Sequence, residues 1–270
     1  MMNKTCIPTG LPTLDEAMGG GMNRGMLYVL AGHNSCGKSS MLRNIALNVA
    51  TRGVRTMFFS LESPPAQAVE AMVLSKLRLH GPAEMLSAEG IERFREGLRS
   101  LEKIPVVWGN ERTHCPEDLV GGVEAEPECQ LLVVDGISQV ASNAGPKTHS
   151  DRVRDAVMTM KRIAAKRNIP VVASHRTHPY ENAYKERLPT MQDLQDHEIL
   201  AEYADFIAMI HLHSRFRHFH GFPAHPGPEQ VHIVVRKRLA GGAPGKAKLL
   251  WDKRSTRWSE LDETEAQKAE

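Results

Sequence analysis

Residues Gly32-His33-Asn34-Ser35-Cys36-Gly37-Lys38-Ser39 fill every fixed position of the pattern G-x-x-x-x-G-K-[ST], a loop that cradles phosphate. Glycines at 32 and 37 let backbone N–H groups turn towards an anion where a side chain would block its approach. Lys38 then reaches the β and γ phosphates of a nucleoside triphosphate, and the Ser39 hydroxyl is offered to Mg²⁺. A helix beginning at Ser40 points its positive end at the same anion. The predicted nucleotide contacts therefore run from Gly32 through Ser40.

Three further residues have the chemistry to serve such a loop. Leu131-Leu132-Val133-Val134-Asp135 is an apolar run ending in an acid, and a carboxylate there can hold Mg²⁺ through its water shell, opposite Ser39. Glu62 follows the apolar run Thr56–Ser60; it either faces the γ-phosphate or caps the helix that Pro64-Pro65 begins. His175 ends the apolar run 170–174, where it either donates a hydrogen bond to the γ-phosphate or stands exposed in a loop.

Alternating elements must position these groups. Short apolar runs predict strands over 26–31, 56–60, 104–108, 131–135, 170–174 and 206–212. Helical spacing predicts helices over 40–51, 65–80, 87–103, 117–124, 151–167 and 191–202, with a short lead-in helix carrying Leu11, Leu14 and Met18 before Gly19-Gly20-Gly21. This alternation gives an α/β fold with a mostly parallel central sheet flanked by helices, whose ligands sit beyond the carboxyl ends of the strands. Residues 230–235 and 246–251 form a C-terminal β-hairpin, with Arg236-Lys237-Arg238 as a basic tip around the glycine-rich turn 241–245.

A chain of 270 residues with 41% hydrophobic content is predicted to be one large domain over 9–261, with an extension over 1–8 and an acidic-rich tail over 262–270. Its net charge of +2 hides a local excess of bases between residues 214 and 258, opposed only by Glu229 and Asp252. The His- and Arg-rich stretch 213–228 reads as a metal site, a nucleic-acid contact or a flexible excursion; Arg215, Arg217 and, upstream, Arg176 are assigned to DNA. Cys6, Cys36, Cys115 and Cys129 make no C-x-x-C pair, which argues against a zinc ribbon and a disulfide framework and for reduced thiols. No apolar run approaches membrane-spanning length, so the expected location is the cytoplasm, with no membrane partner.

Taken in order, these motifs resemble the RecA-like ATPase core of the DnaB superfamily of ring-shaped replicative helicases, closest in style to the phage primase-helicase and Twinkle branch. The resemblance rests on Thr9-Gly10-Leu11-Pro12-Thr13-Leu14-Asp15, the phosphate loop, Phe59-Ser60-Leu61-Glu62, the Asp135 strand, Val171-Val172-Ala173-Ser174-His175 and Arg236-Lys237-Arg238. It implies a RecA-like P-loop NTPase using ATP or another NTP with Mg²⁺, held by Lys38, Ser39 and Asp135. Glu62 would then be the general base, His175 the γ-phosphate sensor, and Arg238 a finger inserted into a neighbouring subunit's site with Arg236 beside it. Trp251 falls near the nucleotide base by the same resemblance, and reads equally as a core tryptophan. Implied partners are single-stranded DNA, further copies of the chain in a hexameric ring, and a loader, primase or polymerase.

Two departures from the family pattern carry expectations of their own. Asp193-Leu194 is followed by Gln195-Asp196-His197-Glu198 where the family has Arg and Gly, a stretch expected to repel phosphate. Nothing before Thr9 resembles the family's amino-terminal domain, so a stand-alone ATPase is expected. Two other function classes stay open: a recombination or clock ATPase of RadA or KaiC type, and a nucleotide-gated DNA-binding accessory without motor activity.

Overall fold

A computed structural model describes residues 6–79, 87–109, 115–140, 147–178, 187–212, 227–239 and 245–261. Arg215, Arg217, the hairpin tip at 240–244 and the tail from 262 lie outside these residues. In chain order the first elements are β1 (Cys6–Ile7), α1 (Pro12–Met18), β2 (Met22–Asn23), β3 (Leu27–Gly32), α2 (Lys38–Ala50), β4 (Thr56–Ser60) and α3 (Pro65–Leu77). Next come α4 (Ala88–Glu102), β5 (Val106–Trp108), α5 (Pro116–Ala125), β6 (Leu131–Asp135), α6 (His149–Arg167) and β7 (Val171–Arg176). The chain closes with α7 (His197–Tyr203), β8 (Phe206–Leu212), β9 (Glu229–Arg238), β10 (Lys246–Asp252) and β11 (Arg257–Glu260).

The apolar runs become strands of one nine-stranded sheet, ordered β11-β10-β9-β8-β3-β7-β6-β4-β5. From β8 to β5 all neighbours are parallel; β9, β10 and β11 are added antiparallel. Every residue of β3 is buried, as a strand covered on both faces must be. Its side chains alternate: Tyr28 and Leu30 join the core beneath α1, α2 and α3. Leu27, Val29 and Ala31 join the core beneath α5, α6 and α7. The chain leaves β3 for β4, works back through β6 and β7, then crosses to β8 on the far side, so the connections diverge at β3. That divergence opens a crevice at its carboxyl end, where a ligand can enter.

Helix starts follow local chemistry. Thr148 and Asp151 form a reciprocal capping box at α6, and the Ser87 hydroxyl accepts from Gly90 N at α4. Pro65 and Pro116 open α3 and α5, where a missing N–H costs nothing.

Three expectations need correction. The helix predicted over 191–202 is a 3-10 turn at Met191–Asp193, an interruption, and then α7. Asp193 accepts from the Thr190 backbone and hydroxyl and from a forked Arg187, closing the turn before a helix can propagate. Secondly, Arg236-Lys237-Arg238 is no hairpin tip: β9 continues through it, pairing Arg238 with Phe206 and Lys237 with Ile207. Thirdly, the hairpin gains another strand, β11, which pairs Trp258 with Trp251.

Candidate nucleotide site

The phosphate loop joins β3 to α2, and Gly37 carries two demands at once. It caps α2 at φ +90°, and a Cβ there would stand 2.7 Å from Trp258 Cζ2 and 2.9 Å from Trp251 Cε2. Those indoles stack with centroids 5.4 Å apart and 9° between planes, forming a floor under the loop. Trp251 thus occupies a core position, 7% exposed. Asn34 and Ser35 are exposed on the loop, Ser35 in the left-handed region at φ 59°, and His33 is half-buried. The Cys36 thiol is buried against Gly32.

Lys38 is buried, and its ammonium donates to the His33 carbonyl at 2.7 Å, so the amine already folds back over its own loop. Ser40 spends its hydroxyl elsewhere, donating to the Thr256 carbonyl beneath the helix. Asn44, one turn on, donates to the Ser40 and Thr256 carbonyls and accepts from Trp258 N and the Ser75 hydroxyl. The last strand is thereby stitched to the helix that carries Lys38.

Asp135 ends β6 with no solvent exposure. Burial raises its carboxyl above the usual carboxylate range, opposed by hydrogen bonds from Ser174 and Ser39 and by the charge of Arg43 on α2; the Glu62 charge adds to the rise. Ser174 donates to Oδ1 at 2.7 Å, whereas Oδ2 has no partner of normal hydrogen-bond geometry among the described residues. A buried carboxylate oxygen without a partner, beside a serine hydroxyl at a helix start, is an oxygen-donor set that suits Mg²⁺.

Glu62 lies on the same side of the sheet as Asp135. Its side chain passes over Gly136, where a Cβ would stand 2.7 Å from Glu62 Cγ and where φ is +112°. It makes no cap for α3, whose preceding residues give no side-chain cap bond. Instead Glu62 Oε1 accepts from Arg176 Nε at 3.2 Å and Nη2 at 3.0 Å. Arg176, assigned to DNA by sequence, is therefore engaged by the candidate base.

His175 is not the exposed loop residue of one reading: its side chain is 0% exposed. Nδ1 lies 3.3 Å from Ser138 Oγ and Nε2 lies 3.4 Å from Asp196 Oδ2. Asp196, φ 51°, also accepts from Ser150 Oγ at 2.8 Å and has His149 Nε2 at 3.4 Å. The close approach of His175 Nε2 draws the Asp196 carboxyl down to about 2, with desolvation opposing and the Ser150 hydrogen bond and the charge of His149 assisting. So Asp196 does not stand outward to repel phosphate; its side chain is 7% exposed and ties the end of β7 to the start of α6. Sequence reasoning missed this tie, along with Ser138, Ser174, Gly136 and Arg43. Nothing in the local sequence marks it, because the partners of Asp196 come from β7 and α6.

Arg236 donates to the Pro189 carbonyl and Lys237 to the Ala201 carbonyl. The Arg238 guanidinium lies against Gly19 at the end of α1. Because Arg238 pairs with Phe206, and Phe206 with Tyr28, it sits at the opposite end of the strands from the phosphate loop, offset by about 13 Å along β3 at roughly 3.3 Å per residue. The site does not gather Arg236 or Arg238 within one copy of the chain.

Beside the loop lies a polar cleft of about 370 Å³, lined by His33, Asn34, Ser138, Gln139, His149, Arg176, Thr177 and Gln195. A groove of about 610 Å³ between α5 and α6 is lined by none of the residues discussed above as site residues. Among the described residues, no helix is long and apolar enough to cross a membrane, and no cluster of His, Cys, Asp and Glu is of a kind to hold a metal by itself.

Comparison with known proteins fits this geometry. The replicative DNA helicase DnaB of Geobacillus stearothermophilus is 23% identical over 215 residues, covering 77% of this chain and 47% of that protein. The chain thus spans about half the length of the curated relatives it matches first. Among solved structures, a DnaB-like replicative helicase, described with its interactions with primase, superposes with a TM-score of 0.81 at 15% identity, over 96% of this chain and 64% of that one. A solved ATPase domain gives the same TM-score and identity over 97% of this chain and 93% of its own. At that identity the two structures speak for the RecA-like fold alone. The model of the DnaB-like helicase C terminal domain matches residues 6–260, and the chain belongs to that family.

Proposed function

We propose that the chain is the ATP-hydrolysing motor of a DnaB-type DNA helicase, moving on single-stranded DNA during replication. The observation that carries this reading is the convergence of Lys38, Ser39, Asp135 and Glu62 at the crevice of β3, in a chain of this family. Lys38 holds the β and γ phosphates. Ser39 and Asp135 are the residues that would hold Mg²⁺, whose charge would offset that of the phosphates when bound. Glu62 orients a water whose oxygen bonds to the γ-phosphorus as the bridging β–γ bond breaks, leaving ADP and phosphate.

Arg238 supports an assembled motor. It lies at the opposite end of the strands from its own phosphate loop, a position that suits a residue serving a neighbouring copy. Hydrolysis then requires a ring or filament, and a hexamer threading the strand through its centre is the form the family reading favours. A primase or loader is the partner class that accompanies it.

Lys38→Ala tests the proposal. DNA-stimulated ATP turnover in the unaltered chain, lost in this variant, is the expected result; equal turnover in both overturns it. A second reading, a nucleotide-gated accessory that binds without turnover, draws on His175, both of whose ring nitrogens face protein side chains. ATP binding with no turnover under any DNA condition would select it.

A further inference from the structure

Arg176 and Glu62 stand 114 residues apart in the chain and meet where the ends of β7 and β4 flank β6. Two N–H groups of one guanidinium converge on a single carboxylate oxygen of the candidate base. The contact is open to exchange, for the side chains are 35% and 22% exposed. Arg176 also lines the polar cleft, whose described lining otherwise carries amide, hydroxyl and imidazole groups and no carboxylate. An oxyanion is the ligand such a lining suits, and a guanidinium fork binds phosphate as readily as carboxylate. One cation thus has two competing anions within reach: Glu62 on one side and whatever enters the cleft on the other.

We propose that Arg176 is a positioning residue shared between Glu62 and a backbone phosphate of single-stranded DNA. Without DNA it holds the Glu62 carboxylate in an ion pair that spends Oε1 on two guanidinium N–H groups and fixes which way the carboxylate faces. A phosphodiester entering the cleft draws Arg176 away and leaves Glu62 free. The proposal rests on the helicase reading above, because it takes single-stranded DNA as the ligand. It also makes the assignment of Arg176 to DNA and its observed pairing with Glu62 two states of one residue.

Competition for one cation is reciprocal: if DNA releases Glu62, removing the Glu62 charge must strengthen DNA binding. The test is a double-mutant cycle on labelled oligothymidylate, read by fluorescence anisotropy with a non-hydrolysable ATP analogue and Mg²⁺. Glu62→Gln should tighten binding about threefold, the scale of a partly exposed ion pair, and Arg176→Ala should weaken it. In the Arg176→Ala background, Glu62→Gln should change nothing. With ATP, Arg176→Ala should raise DNA-free turnover and shrink the stimulation ratio, with Arg176→Lys intermediate because it keeps charge without the fork.

Independent, multiplicative effects of the two substitutions would overturn the proposal, as would an Arg176→Ala variant slowed equally with and without DNA. A Glu62→Gln change in analogue affinity alone would assign Arg176 to the nucleotide, and the proposal would fall. If the unaltered chain neither binds the oligonucleotide nor turns over ATP, the helicase reading fails first. A chain that does both and yet gives an additive cycle defeats only the role of Arg176.

Discussion

Replacing Asp196 with Asn keeps the shape of the side chain and removes the charge that joins β7 to α6. The carboxyl lies at about 2 instead of its ordinary 3.8 because His175, Ser150 and His149 all favour its ionised form. At about 1.4 kcal/mol per pKa unit, that difference is worth roughly 2 kcal/mol at neutral pH. His149 is 47% exposed, and water reaching it trims the figure to about 1–2 kcal/mol. The sign follows from the direction: a depressed carboxyl stabilises the fold fully above its ordinary value, and the contribution fades as pH falls through about 4 towards 2. Asp196→Asn should therefore unfold at lower urea at pH 7, and the gap from the unaltered chain should close between about pH 5 and pH 2. Tryptophan fluorescence during urea titrations at several pH values reads this directly. Curves that stay parallel down to about pH 3, or an Asn variant as stable as the unaltered chain at pH 7, would refute the tie.

Gly37→Ala should destabilise the fold by about 2–4 kcal/mol, combining a left-handed backbone for a residue with a Cβ and overpacking against two indoles. Thermal unfolding measures it, and in a Trp258→Leu background the cost of Gly37→Ala should fall by the packing share alone. Asn44→Ala should cost about 2–3 kcal/mol, since it strips a partner from the buried Trp258 N–H and from two carbonyls. Weakened binding of a fluorescent ATP analogue should accompany it; unchanged binding would separate the last strand from the loop.

The phosphate loop and the Asp135 strand were legible because each is a local pattern with its own chemistry: glycines where an anion must approach, and an acid where a buried run ends. The parallel sheet followed from the alternation of short apolar runs with amphipathic ones. What escaped depended on partners distant in sequence. Met191, Leu194 and Ile199 have helical spacing, yet Asp193 closes its own turn with Thr190 and Arg187, and that competition outweighs periodicity. Asp196 looked like a charge facing solvent until His175, from another strand, was brought beside it. Arg-Trp-Ser-Glu at 257–260 is too short and polar to announce a strand; its pairing with β10 and the Asn44 bond to Trp258 N make it one. The basic triplet was recognisable, but its place inside a ladder was not, because a run of cations reads as exposed.

Glu260 makes the final strand more than an edge. Its carboxylate accepts from the Thr13 backbone and hydroxyl at the start of α1, while Thr256 and Trp258 hold Asn44. A protease nick near Lys253 or Arg254 would consequently loosen the strand that holds Asn44 on the helix carrying Lys38, while cutting none of the residues proposed to touch phosphate. Any insertion made here should spare Arg257–Glu260, the seam that joins β11 to α1 and α2.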